Sequence, residues 1–117
     1  MRYLLLIHDQ ESTFAKMSPN EMEKLMADYN KFGEELRASG AFKDAARLRE
    51  VATATTVRVR EGKTLTTDGP FAETKEQLGG YYLIDVKNLD EAIRWASKIP
   101  SAKLGCVEVR PVWEMND

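Results

Sequence analysis

The side chains able to do chemistry gather in two places along the 117-residue chain. From Asp68 to Glu76, four ionisable groups (Asp68, Glu73, Lys75 and Glu76) fall within nine residues, beside Phe71 and ahead of Gly79-Gly80. Carboxylates next to a lysine exchange protons if burial separates their pKa values. The same oxygens also suit a hard cation such as magnesium. The plainer alternative is a solvated Asp68-Gly69-Pro70 turn. The second place is His8-Asp9, at the end of an apolar run. An imidazole titrates near neutral pH and so suits general acid–base work. On an extended strand its neighbour Asp9 points the other way, so the two need not touch.

Other groups are weaker candidates. Arg58, Arg60, Glu108 and Arg110 lie on polar faces of edge strands, where they could line an anion site or form ordinary cross-strand pairs. Tyr29 lies on an apolar helical stripe with Met26 and Phe32, which suggests core packing with the hydroxyl reaching a partner at the edge. Tyr81 and Tyr82 alternate across one strand. Cys106 reads as a small buried apolar residue. No nucleophile motif, phosphate loop or metal-ligand spacing is present, so no cofactor is called for.

The elements that must position these groups can be read from the pattern. Tyr3 to Ile7 is a strand apolar on both faces. Ser18-Pro19-Asn20-Glu21 is a capping box that opens a helix. Met22, Leu25, Met26, Tyr29, Phe32 and Leu36 form its stripe, which is expected to be core, and Gly40 stops it. Residues 41–54 show no period and read as a loop. Thr55–Arg60 alternates like a half-buried strand and forms a hairpin with Lys63–Thr66 across Glu61-Gly62. Tyr81–Val86 is a further strand. A second capped helix opens at Asn88, carries Ala92, Ile93, Ala96 and Ile99 on one face, and ends at Pro100. Cys106–Arg110 is the last strand.

That order fits one domain over residues 1–117, of α+β class. It is a ferredoxin-like split βαβ arrangement, an antiparallel sheet with both helices on one face. The first strand then lies between the Tyr81 strand and the last one. The other sheet face is left with leucine and tyrosine side chains in water, so a homodimer through that face is expected.

Charge and composition narrow the function classes. Seventeen Lys and Arg against 19 Asp and Glu give a formal net charge of −2, which argues against a non-specific nucleic-acid binder. One cysteine cannot close an internal disulfide, and with a single histidine it makes a structural zinc site improbable. The N-terminal apolar run is too short for a signal or spanning segment, so the expected compartment is the cytoplasm and no membrane partner is expected.

Several runs carry a resemblance. Ala54–Arg60, "TDGPFAETKEQLGGYYLIDV" from Thr67 to Val86 and "VEVRPV" from Val107 to Val112 resemble the DGPF family of YCII-related proteins, and "YLLLI" and "EELRASG" agree with it. The resemblance implies a dimeric α+β barrel type of fold. DGPF proteins are small bacterial proteins, some found beside or fused to extracytoplasmic-function sigma factors, so a sigma-factor partner is implied by analogy alone. YCII relatives imply a small pocket enzyme, such as a lyase or dehydrochlorinase acting on an aromatic ring compound through a His–Asp pair. Asp9 matches the aspartate, whereas Tyr29 stands where the relatives' histidine lies. Taken together, the candidates are His8, Asp9 and Asp68 for catalysis, and Tyr29, Phe71, Glu73, Lys75 and Tyr81 for ligand contact. The function classes are a lyase- or isomerase-like small-molecule enzyme, a non-catalytic ligand-binding or regulatory module, and a dimeric scaffold.

Overall fold

A computed structural model describes residues 1–115. Its main sheet has four antiparallel strands: β1 (Arg2–Asp9), β2 (Phe42–Arg47), β5 (Gln77–Asp85) and β6 (Cys106–Pro111), in the order β2-β5-β1-β6. The long helix α2 (Pro19–Ser39) and the shorter α3 (Leu89–Lys98) pack on one face, and a five-residue helix, α1 (Glu11–Ala15), follows β1. β3 (Thr55–Arg60) and β4 (Lys63–Asp68) pair only with each other, as a separate two-stranded sheet.

Each element follows from local chemistry. β1 alternates, with Tyr3, Leu5, Ile7 and Asp9 buried toward the helices and Leu4, Leu6 and His8 half-buried on the other face. At the start of α2, the Ser18 hydroxyl accepts the Glu21 backbone N–H, and Glu21 accepts the Ser18 N–H in return. Gly40 ends the helix at φ 83°, a left-handed conformation that favours glycine. Asn88 caps α3 by accepting from Glu91 N–H. The core gathers Tyr3, Leu5, Ile7, Phe32, Leu36, Ile84, Ala92, Ala96 and Ile99. Phe32 meets Tyr82 edge-on at 5.2 Å and Trp95 at 6.1 Å.

The α+β class, the antiparallel sheet, the helices on one face and the central place of β1 are as the sequence leads one to expect. Three details differ. Part of the segment read as loop is β2, which fills the edge position beside β5. Its sequence, FKDAAR, buries too little apolar surface to show a period. The β3–β4 hairpin forms, with Glu61 and Gly62 both at positive φ in its turn. It is not half-buried, however: Val57 and Val59 are each 59% exposed. Alternation records a two-sided strand, not whether anything covers one side. Ile93, assigned to the buried face of α3, is also exposed.

The apolar stripe of α2 is divided. Only Phe32, Gly33 and Leu36 are buried, while Met22, Leu25 and Met26, expected in the core, line a cavity instead. A stripe marks the side turned from bulk water; it does not say whether that side meets other side chains or empty space.

Candidate functional site

The cavity lies between the sheet and α2, from Met22 to Arg37, with a volume of about 720 Å³, a size that suits a small organic molecule. Phe14, Met22, Leu25 and Met26 form its apolar wall. Asp9, Tyr29 and Ser101 stand together at one end, and Arg47 lies on β2 at the rim.

Asp9 gets there by strand parity. It is the last inward residue of β1, and it is 5% exposed. The register of β1 against β5 shifts between Ile7 and His8, so Ile7 faces Gly80, His8 faces Leu78, and Gly79 is the extra residue of a bulge. A Cβ on Gly79 would stand 3.4 Å from Asp9 Oδ1, an ordinary contact distance, so the bulge sets the β5 backbone directly beside the carboxylate. Burial raises the Asp9 pKa above its ordinary value, the neighbouring Ser101 hydroxyl pulls the other way, and the charges of Glu11 and Glu76 add to the rise.

Ser101 is 2% exposed, on the single turn that follows α3. Its Oγ accepts the Tyr29 hydroxyl at 2.6 Å. Tyr29 and Ser101 are thus hydrogen-bonded, and the Ser101 hydroxyl stands close enough to Asp9 to act on its carboxyl, so the three groups gather between the middle of α2 and the end of β1. Burial also raises the Tyr29 pKa, partly offset by the Ser101 bond; the Asp9 charge raises it further and Arg47 lowers it. Around the mouth, Glu11 accepts the Val51 N–H at 2.8 Å and its own N–H donates to the Gln77 side chain at 3.0 Å. These two bonds tie α1, the segment after β2 and the start of β5 together.

The candidates read from the sequence are distributed unevenly around this site. Asp9 and Tyr29 line the cavity with their side chains; Tyr81 borders it, but it pairs with Leu6 and so turns its side chain to the sheet face without helices, where its hydroxyl donates to Asp44 at 3.3 Å. His8 lies on the opposite sheet face, where its Nε2 is 3.8 Å from Glu108 Oε1. Asp68, at the end of β4, and Phe71, Glu73 and Lys75, in the loop after it, are exposed and are not among the cavity-lining residues. Phe71 is 80% exposed. Glu76, the last of that run, accepts from Cys106, which is exposed on β6 and not buried as its type suggests. Glu108 and Arg110 pair with each other along β6. Among the described residues, no group of three His, Cys, Asp or Glu could hold a metal ion, and no helix is long and apolar enough to cross a membrane.

Ser101 and Arg47 belong to the site but escape sequence reading. A serine after a helix-ending proline is an ordinary terminus, and Arg47 sits in the segment that shows no period. Parity along β2 would have found Arg47 once that segment was taken as a strand.

Comparison with known proteins agrees with this architecture. A protein of Rhizobium meliloti (strain 1021), described only as uncharacterized, is 40% identical over 114 residues, which is 96% of this chain and 92% of that one. The structure of 5-chloro-2-hydroxyhydroquinone dehydrochlorinase from Burkholderia phenoliruptrix AC1100, solved with 2,5-dihydroxybenzoquinone, superposes with a TM-score of 0.55. It covers 97% of this chain and 94% of that one at 15% identity, a likeness of fold. The family model of the YCII-related domain matches residues 1–116. By that match and the Rhizobium relative, the chain belongs to the YCII-related family.

Proposed function

We propose that the chain is a small-molecule enzyme, lyase- or isomerase-like, that moves a proton in the cavity between the sheet and α2. One observation carries this reading: a carboxyl buried at 5% exposure faces that cavity, and its proton affinity is raised by the burial. A carboxylate kept from water takes a proton from a substrate carbon or hydroxyl more readily than a solvated one, because protonation relieves the desolvation. Asp9 would be the base, taking the proton as the electron pair left behind forms a double bond or expels a leaving group. Ser101 fixes the carboxylate, and Tyr29 fixes Ser101. The likeness to a dehydrochlorinase of ring compounds supports the same class of chemistry.

The test has two stages. Small phenols, quinones and aromatic acids are screened by thermal shift, since a ligand bound only by the native state raises the melting temperature. Turnover of the hits is then followed by absorbance in wild type and Asp9→Asn. Loss of general base catalysis should lower kcat by about 10²–10⁴-fold. Undiminished turnover in Asp9→Asn would sink the assignment.

The Asp68-Gly69-Pro70-Phe71 run supports placing the chain in the DGPF branch of the family. The half-buried Leu4, Leu6, Tyr81 and Leu83 on the face without helices support a homodimer as the working unit.

A further inference from the structure

Arg47 stands out among the cavity residues because its charge is not committed. The pairing of β2 with β5 sets Phe42 opposite Ile84, Ala45 opposite Tyr82 and Arg47 opposite Gly80. Ile84 and Tyr82 belong to the core on the helix side, so parity turns Arg47 to that side too, at the end of the strand where the core stops and the cavity begins. Its neighbour Gly80 has no side chain to occupy the space beside it. The charge is close enough to Tyr29 to act on the phenol.

The other two cations on the cavity lining already have neighbours that engage them. Arg37 lies over the Phe42 ring at 4.6 Å. Arg49 approaches Glu50 at 4.0 Å. Glu11 accepts from the Val51 amide, and Glu34 is exposed on α2. Arg47 takes part in no ion pair among the described residues.

We propose that the cavity takes a substrate with an apolar ring and one carboxylate, the carboxylate seated on Arg47 and the ring held against Met22, Leu25 and Met26. This rests on reading the cavity as the reaction site, and it adds the substrate class and the residue that selects it. A single guanidinium matches a carboxylate through two parallel N–H bonds. The division of labour is also chemically consistent: Arg47 holds the anion, and the Asp9 carboxylate takes up a proton from another part of the ring.

The experiment is calorimetric titration of 2,5-dihydroxybenzoate and 2,5-dihydroxybenzamide, which share a ring and differ in charge. Wild type, Arg47→Met, Arg47→Lys and Asp9→Asn are compared, with thermal melts confirming that each folds. Wild type should bind the acid at least tenfold more tightly than the amide. Arg47→Met should remove that preference, Arg47→Lys should restore part of it, and Asp9→Asn should keep it. Equal affinity for acid and amide, no binding of either, or an undiminished preference in Arg47→Met overturns the proposal. Full turnover in Asp9→Asn with the acid preference intact would instead count against the proton-transfer reading alone.

Discussion

Replacing Tyr29 with phenylalanine removes one oxygen atom and leaves the ring in place, so its effect isolates the 2.6 Å bond to Ser101. A hydrogen bond in a folded protein contributes about 1 kcal/mol net, rising toward about 3 kcal/mol when a buried partner is left unsatisfied. The Ser101 hydroxyl still has the Asp9 carboxyl beside it as a polar neighbour, so the lower figure applies. For a chain of 117 residues the unfolding entropy is about 0.25 kcal/mol/K, so a loss of about 1 kcal/mol lowers the melting temperature by about 4 °C. A second readout follows from polarisation along the line. Tyr29 donating to Ser101 polarises the Ser101 hydroxyl toward Asp9, and that hydroxyl is what lowers the Asp9 pKa against the effect of burial. Tyr29→Phe should therefore raise the Asp9 pKa, and Ser101→Ala should raise it further. The assay is a carboxyl carbon-13 NMR titration of Asp9 beside thermal melts of the three proteins. An Asp9 titration unmoved in both variants would refute the idea that the three groups act as one line.

Other expectations can be checked directly. Because Asp9 binds its proton more tightly folded than unfolded, it costs the fold nothing below the unfolded carboxyl range and progressively more as pH rises through the interval up to its folded value; Asp9→Asn should lose that downward slope in urea melts taken from pH 3 to 8. Gly80→Ala should destabilise the fold by about 1–3 kcal/mol, since the new Cβ would stand 2.7 Å from the Ala46 carbonyl oxygen on β2; an unchanged urea midpoint would show that the β2–β5 edge yields freely. Sedimentation of the wild type should give a dimer at micromolar concentration. Leu6→Asp, on the sheet face away from the helices, should shift it toward monomer without lowering helix content, and a wild-type monomer would exclude the two-chain unit.

How much could be read in advance varied with the kind of signal. α2 was legible at both ends, because Ser18, Pro19, Glu21 and Gly40 act locally. β1 was legible as a strand from Tyr3 to Ile7, but not its continuation: His8-Asp9-Gln10 reads as a polar turn, and only pairing with β5 and β6 carries the strand through to Asp9. β2 was not legible: Lys43, Asp44 and Arg47 leave only Phe42 and two alanines to mark a buried side, and the edge position tolerates that. The site was half legible. Asp9 and Tyr29 were named from position and resemblance, but the bond between Tyr29 and Ser101 joins residues 72 apart in sequence, a relation that no local pattern encodes. The acidic run from Asp68 to Glu76 was the most conspicuous cluster, yet proximity along the chain says little about which groups share a cavity.

The divided stripe of α2 has a consequence for how such a protein can change. The foundation of the helix, Phe32 to Leu36, holds the chain together, while the overhang from Met22 to Met26 shapes the hollow beneath it. Exchanging a methionine for a larger or smaller residue on the overhang alters what fits without touching the foundation. One helix thereby keeps the decision to fold apart from the choice of guest, and a lineage can vary the second while leaving the first alone.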